Sequence, residues 1–315
     1  MRLMCATVIA VGISSLATAQ DLPGPPGQLV DVGGRRLHVY CTGAGGSTVI
    51  LEAGASSFAI DWALVQPSVA KTNRVCSYDR LGYGWSDVAD FDMRGDDAVR
   101  TLRQALDTLG EHPPYVLVGQ SMGGRFTRLF ARLYPSDVTA MVLVDAEQED
   151  GLFMLANGRP VPISSLSDEE FDAAWTPPTG APPAIPEQHL QAAHLKLPRE
   201  LQAVRLELQR RLVASMYSAS VDSMRKTMRS EHTALRQLHE LSSREEHPLH
   251  NLPLIVLSRG LDDSPPHKRA QQALVRLSST STQIVVDDSE HEIHLFRPDV
   301  VIQAIQDVQH SPAGR

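Results

Sequence analysis

The chain has 315 residues, of which 42% are hydrophobic and 21% are charged, so it is long and apolar enough to bury a full core. The formal net charge is −8, and Lys and Arg do not cluster into a basic stripe, which argues against a nucleic-acid partner. This length fits one large domain or one domain that carries an insertion.

Residues 1–19 match the pattern of a secretory signal peptide. Arg2 supplies the positive charge, a mostly apolar stretch follows as far as Leu16, and Ala-Thr-Ala at residues 17–19 offers a cleavage site that ends at Ala19. Because the apolar stretch is too short to span a bilayer comfortably, we expect no stable membrane anchor. The mature chain would be periplasmic or secreted.

The first part of the mature chain alternates between strand and helix patterns. Short apolar or alternating runs predict strands over residues 28–32, 36–41, 48–52 and 74–78. Glycine-rich loops follow the last two of these strands, at residues 53–57 and 79–86. Apolar residues at helical spacing between Val99 and Leu109 then predict a helix, which Gly110 ends.

The centre of the chain, Tyr115 to Tyr134, combines a strand, a turn and a helix. A short β-branched run begins at Tyr115, and apolar residues at helical spacing begin at Met122. Between them, GQSMG at residues 119–123 matches G-x-S-x-G, in which the serine occupies a strained strand-to-helix turn and exposes its hydroxyl. Glycine on both sides allows the strand and the helix to approach closely. We therefore interpret Ser121 as a nucleophile.

The alternation continues after this turn, with one long interruption. A strand predicted over residues 138–144 ends at Asp145, and residues 146–251 then show amphipathic helix and proline-rich patterns without a strand. The rhythm resumes with strands over 253–258 and 283–286 and helices over 268–277 and 298–308. Such alternation predicts a mostly parallel sheet covered on both faces. The interruption predicts a helical cap inserted into a core of residues 20–145 and 252–315.

A serine nucleophile needs a base that accepts its proton and an acid that orients the base. In strand–turn–helix sites of this kind, the chain order is serine, acid and histidine. Two histidines, His291 and His294, lie between the last predicted strand and the last predicted helix. We favour His291 as the base because it lies nearer the strand, and we interpret His294 as a packed neighbour.

Three segments carry a family resemblance. GQSMGG around Ser121 is similar to the GHSMGG of serine α/β-hydrolases, with Gln120 in place of the usual histidine. SEHEIHLFRP near the C-terminus resembles that family's S-G-H-x-I-H-L-x-x-P segment, and YDRLGYGWSD resembles its loop after the fourth strand. The resemblance runs from Leu29 to Val308. It implies an α/β-hydrolase fold with an eight-stranded, mostly parallel sheet, helices on both faces and a helical cap, and it assigns the base to His291.

The same resemblance implies an oxyanion hole. A tetrahedral intermediate needs two backbone N–H donors aimed at its developing charge. One would belong to Met122, the residue after the nucleophile. The other would belong to Ala55 in the loop after the third strand, where this chain has Ala53-Gly54 and the family has His-Gly. Alanine in place of the family's histidine leaves the backbone N–H of Ala55 available as a donor.

Three aspartates are candidates for the acid. The segment SRGLDDSPP resembles the family's G-x-x-D loop, which selects Asp263, and Asp262 lies beside it. Asp145 ends the strand after the nucleophile, where some branches of the family place the acid and where aspartate is also common as a strand terminator. We prefer Asp263 and keep the other two open.

The family's strand order also places the second and fourth strands side by side. Cys41 and Cys76 fall on these two strands, so the resemblance implies that a disulfide can form between them in an oxidising compartment. Two buried free thiols are the alternative.

The expected function is that of an exported serine hydrolase that cleaves a carboxylic ester through an acyl-enzyme on Ser121, with a small acyl compound as its substrate. The same triad would serve an amide or imino-peptide bond, a lactone or a carbon–carbon bond. A non-catalytic binding module on this fold is the competing class. Neither a cofactor nor a metal is implied, and the sequence indicates no particular oligomeric state.

Overall fold

The computed structural model describes residues 23–148, 152–154, 160–162, 165–174, 180–185, 191–217, 221–242, 245–261 and 264–310. The predicted signal peptide lies outside these residues, so export stays a prediction. Asp262 and Asp263, two of the three candidate acids, also lie outside them.

The centre of the molecule is a sheet of eight strands. The strands of the described chain are β1 (Gln28–Asp31), β2 (Arg36–Thr42), β3 (Thr48–Glu52), β4 (Val75–Asp79), β5 (Tyr115–Gln120), β6 (Val138–Val144), β7 (Leu152–Met154), β8 (Pro160–Pro162), β9 (Leu254–Arg259) and β10 (Ser281–Val286). The sheet has the order β1-β2-β4-β3-β5-β6-β9-β10, with β7 and β8 forming a separate pair. Only the β1–β2 and β2–β4 pairings in the sheet are antiparallel. The predicted mostly parallel, eight-stranded sheet is therefore confirmed.

The helices flank this sheet or lie in the predicted cap. They are α1 (Gln66–Val69), α2 (Gly95–Thr108), α3 (Gly123–Leu133), α4 (Asp168–Ala174), α5 (Arg199–Tyr217), α6 (Val221–Ser242), α7 (Pro265–Val275), α8 (Ile293–Phe296) and α9 (Pro298–Gln309), with short 3₁₀ helices at Ala59–Trp62, Pro135–Asp137 and His194–Lys196. Within the described ranges, none of the helices combines the length and the apolar character needed to cross a membrane.

Successive residues of the central strands face opposite sides of the sheet. Ile50 and Leu117 belong to the apolar cluster that includes α2 and α3, whereas Val49 and Val116 belong to the cluster that includes α1 and α9. Both faces of these strands are buried, which is why their sequences are continuous apolar runs rather than alternating ones. The predicted helices on both faces of the sheet are confirmed.

Residues 146–251, the predicted cap, add no strand to the central sheet within the described part of the chain. We call them the cap segment, and they contain β7, β8, α4, α5 and α6. Helix α6 packs against α2 and α3 of the core. The expectation that this segment has no strand is wrong for β7 and β8. Pro160 and Pro162 are compatible with β8 because both strands of a two-stranded sheet are edge strands, where proline is tolerated.

Cys41 of β2 and Cys76 of β4 are direct partners in the antiparallel register of these strands. Their sulfur atoms are bonded in the structure. The pairing that the resemblance implied is thus present, and it ties the antiparallel edge of the sheet to its parallel part.

Candidate active site

The turn between β5 and α3 holds Ser121 at the carboxyl end of β5. Its backbone φ is 50°, in the left-handed region that residues other than glycine rarely occupy. A Cβ atom on Gly119 would lie 2.6 Å from Thr127 Oγ1 and 2.8 Å from the backbone of Gly124, so only glycine lets β5 and α3 come this close. The Ser121 N–H donates to the carbonyl of Val144 at 3.0 Å. This geometry is that of a nucleophile elbow.

His291 lies beside this elbow, in the loop between β10 and α8. Its Nε2 is 3.5 Å from Nε2 of Gln120, the residue before the serine. Its Nδ1 is 2.6 Å from Oδ2 of Asp145. Because an ionised carboxylate can only accept, Nδ1 carries the proton, and the unprotonated Nε2 lies on the side of the elbow. That is the tautomer a general base requires.

Asp145, directly after β6, receives four donors. Its Oδ2 accepts from His291 Nδ1 and from Arg259 Nη1 at 3.1 Å, and its Oδ1 accepts from His267 Nε2 at 2.8 Å and from the Arg259 N–H at 3.1 Å. Burial would raise the pKa of Asp145. The hydrogen bonds from His291 and the Arg259 backbone, with the charges of both histidines, nevertheless hold this pKa below its ordinary value. The carboxylate is therefore ionised at neutral pH.

This geometry changes the preference among the three candidate acids. The carboxylate on His291 is that of Asp145, which the sequence analysis ranked below Asp263. In the sheet, β6 pairs with β9 and β9 pairs with β10, so the loops that follow these strands meet at one edge. The end of β6 therefore lies within reach of the loop after β10, which carries His291. The sequence feature that could have identified Asp145 as the partner of His291 is its position at the end of the strand directly after the elbow.

His294 occupies a different environment from His291. It is fully buried, and its ring centroid lies 4.8 Å from that of Trp62. Burial lowers the pKa of His294 to about 3, and the neighbouring His291, His194 and Arg205 act in the same direction. His294 is therefore a neutral packing residue in the structure.

The loop after β3 lies directly against the elbow. A Cβ atom on Gly54 would be 3.1 Å from Cβ of Ser121 and 2.3 Å from Oε1 of Gln120, so a larger residue there would require both side chains to shift. The predicted oxyanion donors, the N–H groups of Met122 and Ala55, thus belong to two segments that meet at Ser121. Within the residues that the structure describes, neither N–H donates to a protein acceptor.

One group of side chains in the described chain has the spacing of a metal site. Cys41, Cys76 and Glu111 offer ligand atoms within 4.8 Å of one another. Because the two sulfurs are bonded to each other, the oxidised protein offers no thiolate there.

A family model described as alpha/beta hydrolase fold matches residues 39–298, most of the chain. The chain belongs to this family. The suspected resemblance is therefore confirmed at the level of the family, as is the fold that it implied.

Two relatives with more than 30% identity match shorter stretches. The chain is 31% identical over 121 residues to the protein YbdG of Bacillus subtilis, a match that covers 38% of this chain and 37% of YbdG. It is 40% identical over 114 residues to the 2-hydroxy-6-oxononadienedioate/2-hydroxy-6-oxononatrienedioate hydrolase of Paraburkholderia phymatum, with 35% and 39% covered. The chain thus spans well under two thirds of the length of these two relatives.

Solved structures extend the comparison to nearly the whole fold. The enol-lactonase from Burkholderia xenovorans LB400 matches with a TM-score of 0.61 and 17% identity, over 90% of this chain and 100% of that one. At this identity the likeness concerns the fold alone.

Proposed function

We propose that this α/β-hydrolase cleaves a carboxylic ester of a small molecule through an acyl-enzyme on Ser121. The observation that carries the proposal is the 2.6 Å contact between His291 and Asp145 beside a serine with a φ of 50°. A base with a fixed tautomer next to an elbow serine is the arrangement that nucleophilic acyl transfer needs.

The reaction would proceed in two halves. In the first half, His291 Nε2 accepts the hydroxyl proton of Ser121 while Oγ attacks the acyl carbon. The negative charge that develops on the carbonyl oxygen is received by the N–H groups of Met122 and Ala55. When the tetrahedral intermediate collapses, the carbon–oxygen bond to the alcohol breaks and His291 returns its proton to the departing oxygen.

In the second half, water replaces the alcohol. His291 accepts a proton from that water, whose oxygen attacks the acyl carbon of the ester to Ser121. Collapse of the second intermediate releases the carboxylic acid and returns the proton to Oγ. Asp145 stays ionised throughout and stabilises the imidazolium that forms in each half.

A carbon–carbon bond hydrolase is the second candidate. It is favoured by the 40% identity over 114 residues to a hydrolase named for 2-hydroxy-6-oxononadienedioate. An ester is the first choice because the proposed site contains the groups that ester cleavage requires, namely a base, its orienting acid and two backbone donors. Carbon–carbon cleavage would use the same residues, but His291 would then return its proton to a departing carbon, which is a poorer leaving group than an alcohol oxygen.

A substrate panel separates these candidates. We expect turnover of p-nitrophenyl esters that exceeds turnover of a lactone, an aminoacyl-proline amide and a 2-hydroxy-6-oxo-dienoate. Hydrolysis of the dienoate alone would establish the second candidate, and inactivity on the whole panel would favour a binding module.

Ser121→Ala is the test of the nucleophile. We expect kcat on the best ester to fall by about 10⁶-fold, and labelling by a fluorophosphonate to disappear, because the attacking oxygen is gone. Ser136→Ala is the matched control, since Ser136 is exposed and lies beyond the C-terminal end of α3, away from the elbow. Labelling of Ser121→Ala at the wild-type rate would show that the nucleophile lies elsewhere.

A further inference from the structure

The loop that carries the proposed Ala55 donor is held by two buried arginines. From the loop after β4, Arg80 donates through Nη1 to the carbonyl of Ala53 at 2.6 Å and through Nη2 to the carbonyl of Gly54 at 2.8 Å. From helix α5 of the cap segment, Arg205 donates through Nη2 to the carbonyl of Ser56 at 2.9 Å. We call residues 53–56 the oxyanion loop.

These carbonyl contacts set the direction of the donor itself. The carbonyl of Gly54 and the N–H of Ala55 belong to one planar peptide unit and point in opposite directions. An arginine that fixes the Gly54 oxygen therefore also aims the Ala55 N–H. On the other side of the donor, Ser56 has a φ of 53°, a conformation that persists only where surrounding contacts support it. Arg205 supplies one such contact.

The two arginines are anchored differently. Arg80 pairs with Glu52 of β3, a core residue. Arg205 pairs through Nε with both carboxylate oxygens of Asp61, at 3.0 and 3.2 Å, and both of these side chains are buried. Its guanidinium also lies 4.7 Å from the ring centre of Phe58. Asp61 is a core residue and Arg205 a cap residue, so this contact joins the two.

We propose that Arg205 is a positioning residue for the oxyanion hole, so that the seating of α5 on the core controls the chemical step. This inference rests on the proposed function, because it assigns a donor role to Ala55. It differs from the usual view of a cap as a selector of substrates. Arg205 holds the backbone next to the donor and needs no contact with the substrate.

The test compares Arg205→Met with Arg211→Met on the same helix. Arg211 is 53% exposed and pairs with Glu207 at 3.5 Å, so its loss leaves the oxyanion loop untouched. For Arg205→Met we expect kcat on the best ester to fall about 10- to 100-fold, because a donor displaced by a fraction of an ångström stabilises the transition state less. The KM should change by less than about threefold. Arg211→Met should match the wild type.

A second readout separates positioning from a merely structural role. An aryl boronic acid forms a tetrahedral adduct with the nucleophilic serine, and its affinity reports on the oxyanion hole directly. We expect its affinity for Arg205→Met to fall by about the same factor as kcat/KM. A loss of thermal stability with unchanged boronic acid affinity would overturn the proposal, as would a rise in KM at constant kcat.

Arg205→Met leaves the buried carboxylate of Asp61 without its cation, which threatens folding. The double variant Asp61→Asn/Arg205→Met removes that charge, and the amide oxygen that it introduces can still accept the Phe58 N–H that Asp61 accepts at 3.0 Å. The double variant should show the same fall in kcat. If it folds and retains wild-type kcat, only this inference is overturned. If the wild-type protein hydrolyses no ester, the proposed function fails, and this inference fails with it.

Discussion

Two buried carboxylates flank β5, the strand that ends directly before Ser121. Glu52 ends β3 and Asp145 follows β6, and both strands pair with β5. The two residues are 1% and 2% exposed, so they have lost nearly the same access to water. Their pKa values nevertheless shift in opposite directions, upward for Glu52 and downward for Asp145.

The difference arises from what faces each carboxylate. Burial raises the pKa of Glu52, and the like charge of Glu231 adds to this, so the opposing effects of Arg80 and Tyr78 do not restore the ordinary value. Burial also acts upward on Asp145, but there the donors from histidines and backbone outweigh it. Loss of water therefore does not decide the protonation state of a buried acid; the donors that replace the water do.

The two carboxylates therefore have different roles. Asp145 is an anion that holds His291, the proposed base, whereas Glu52 holds Arg80, which in turn holds the oxyanion loop. Removal of the charge at Asp145 should therefore affect catalysis first. Removal of the Glu52 carboxylate should instead lower the free energy of unfolding first.

The largest expected effect is that of Asp145→Asn. The amide can present an N–H to His291 and so favour the wrong tautomer, which lowers turnover by around 10⁴-fold in comparable triads. We expect a loss of that size in kcat, on the order of 5 kcal/mol of barrier. Circular dichroism should show a folded protein.

Asp263→Asn is the matched control for this variant, since the sequence ranked Asp263 first. We expect it to retain kcat within about tenfold of the wild type, because His291 already has its carboxylate. If Asp263→Asn is folded but inactive while Asp145→Asn stays active, the acid is Asp263. The opposite pKa shifts of Asp145 and Glu52 would then have no bearing on catalysis.

The next effect in size is that of Glu52→Gln. The amide oxygen can still accept from Arg80, but the amide nitrogen takes the place of the oxygen that accepts from the Tyr78 hydroxyl, so the free energy of unfolding should fall by about 1–3 kcal/mol. We expect kcat to change by less than about tenfold. Urea unfolding and ester kinetics measure both quantities, with the exposed Glu240→Gln as a control. A stable but inactive Glu52→Gln protein would contradict this assignment.

The sequence predicted those features of the fold and the site that depend on short stretches of the chain. Continuous apolar runs locate the central strands, and the turn around Ser121 has a motif because its sterics allow few residues. His291 is identified by its place after the last strand. Each of these inferences depends on neighbouring residues of the chain.

What the sequence did not predict depends on contacts between distant segments. The choice of Asp145 over Asp263 follows from which strand end faces His291, across 146 positions of the chain. The Asp61–Arg205 pair joins residues 144 positions apart, and no periodicity marks either of them. Such contacts follow from the packing of whole elements, so they can be identified only when the sheet order and the position of α5 on the core are known.

The smallest expected effect is a difference in how the two carboxylates couple stability to pH. The pKa of Asp145 is lower in the folded protein than its ordinary value of 3.8, so its stabilisation is present above that value and is lost as the pH falls through the folded pKa. The pKa of Glu52 is raised above 4.5, so its stabilisation is present below that value and is lost as the pH rises through the folded pKa.

Urea unfolding of the wild type, Asp145→Asn and Glu52→Gln across the acid range tests these opposite signs. Each variant lacks one titrating group, so its difference from the wild type isolates that group. On acidification, the advantage of the wild type over Asp145→Asn should shrink, and its advantage over Glu52→Gln should grow, each by on the order of 1 kcal/mol. If the two differences in unfolding free energy change in the same direction with pH, the donors around Asp145 do not outweigh its burial. The contrast drawn between Asp145 and Glu52 would then be wrong.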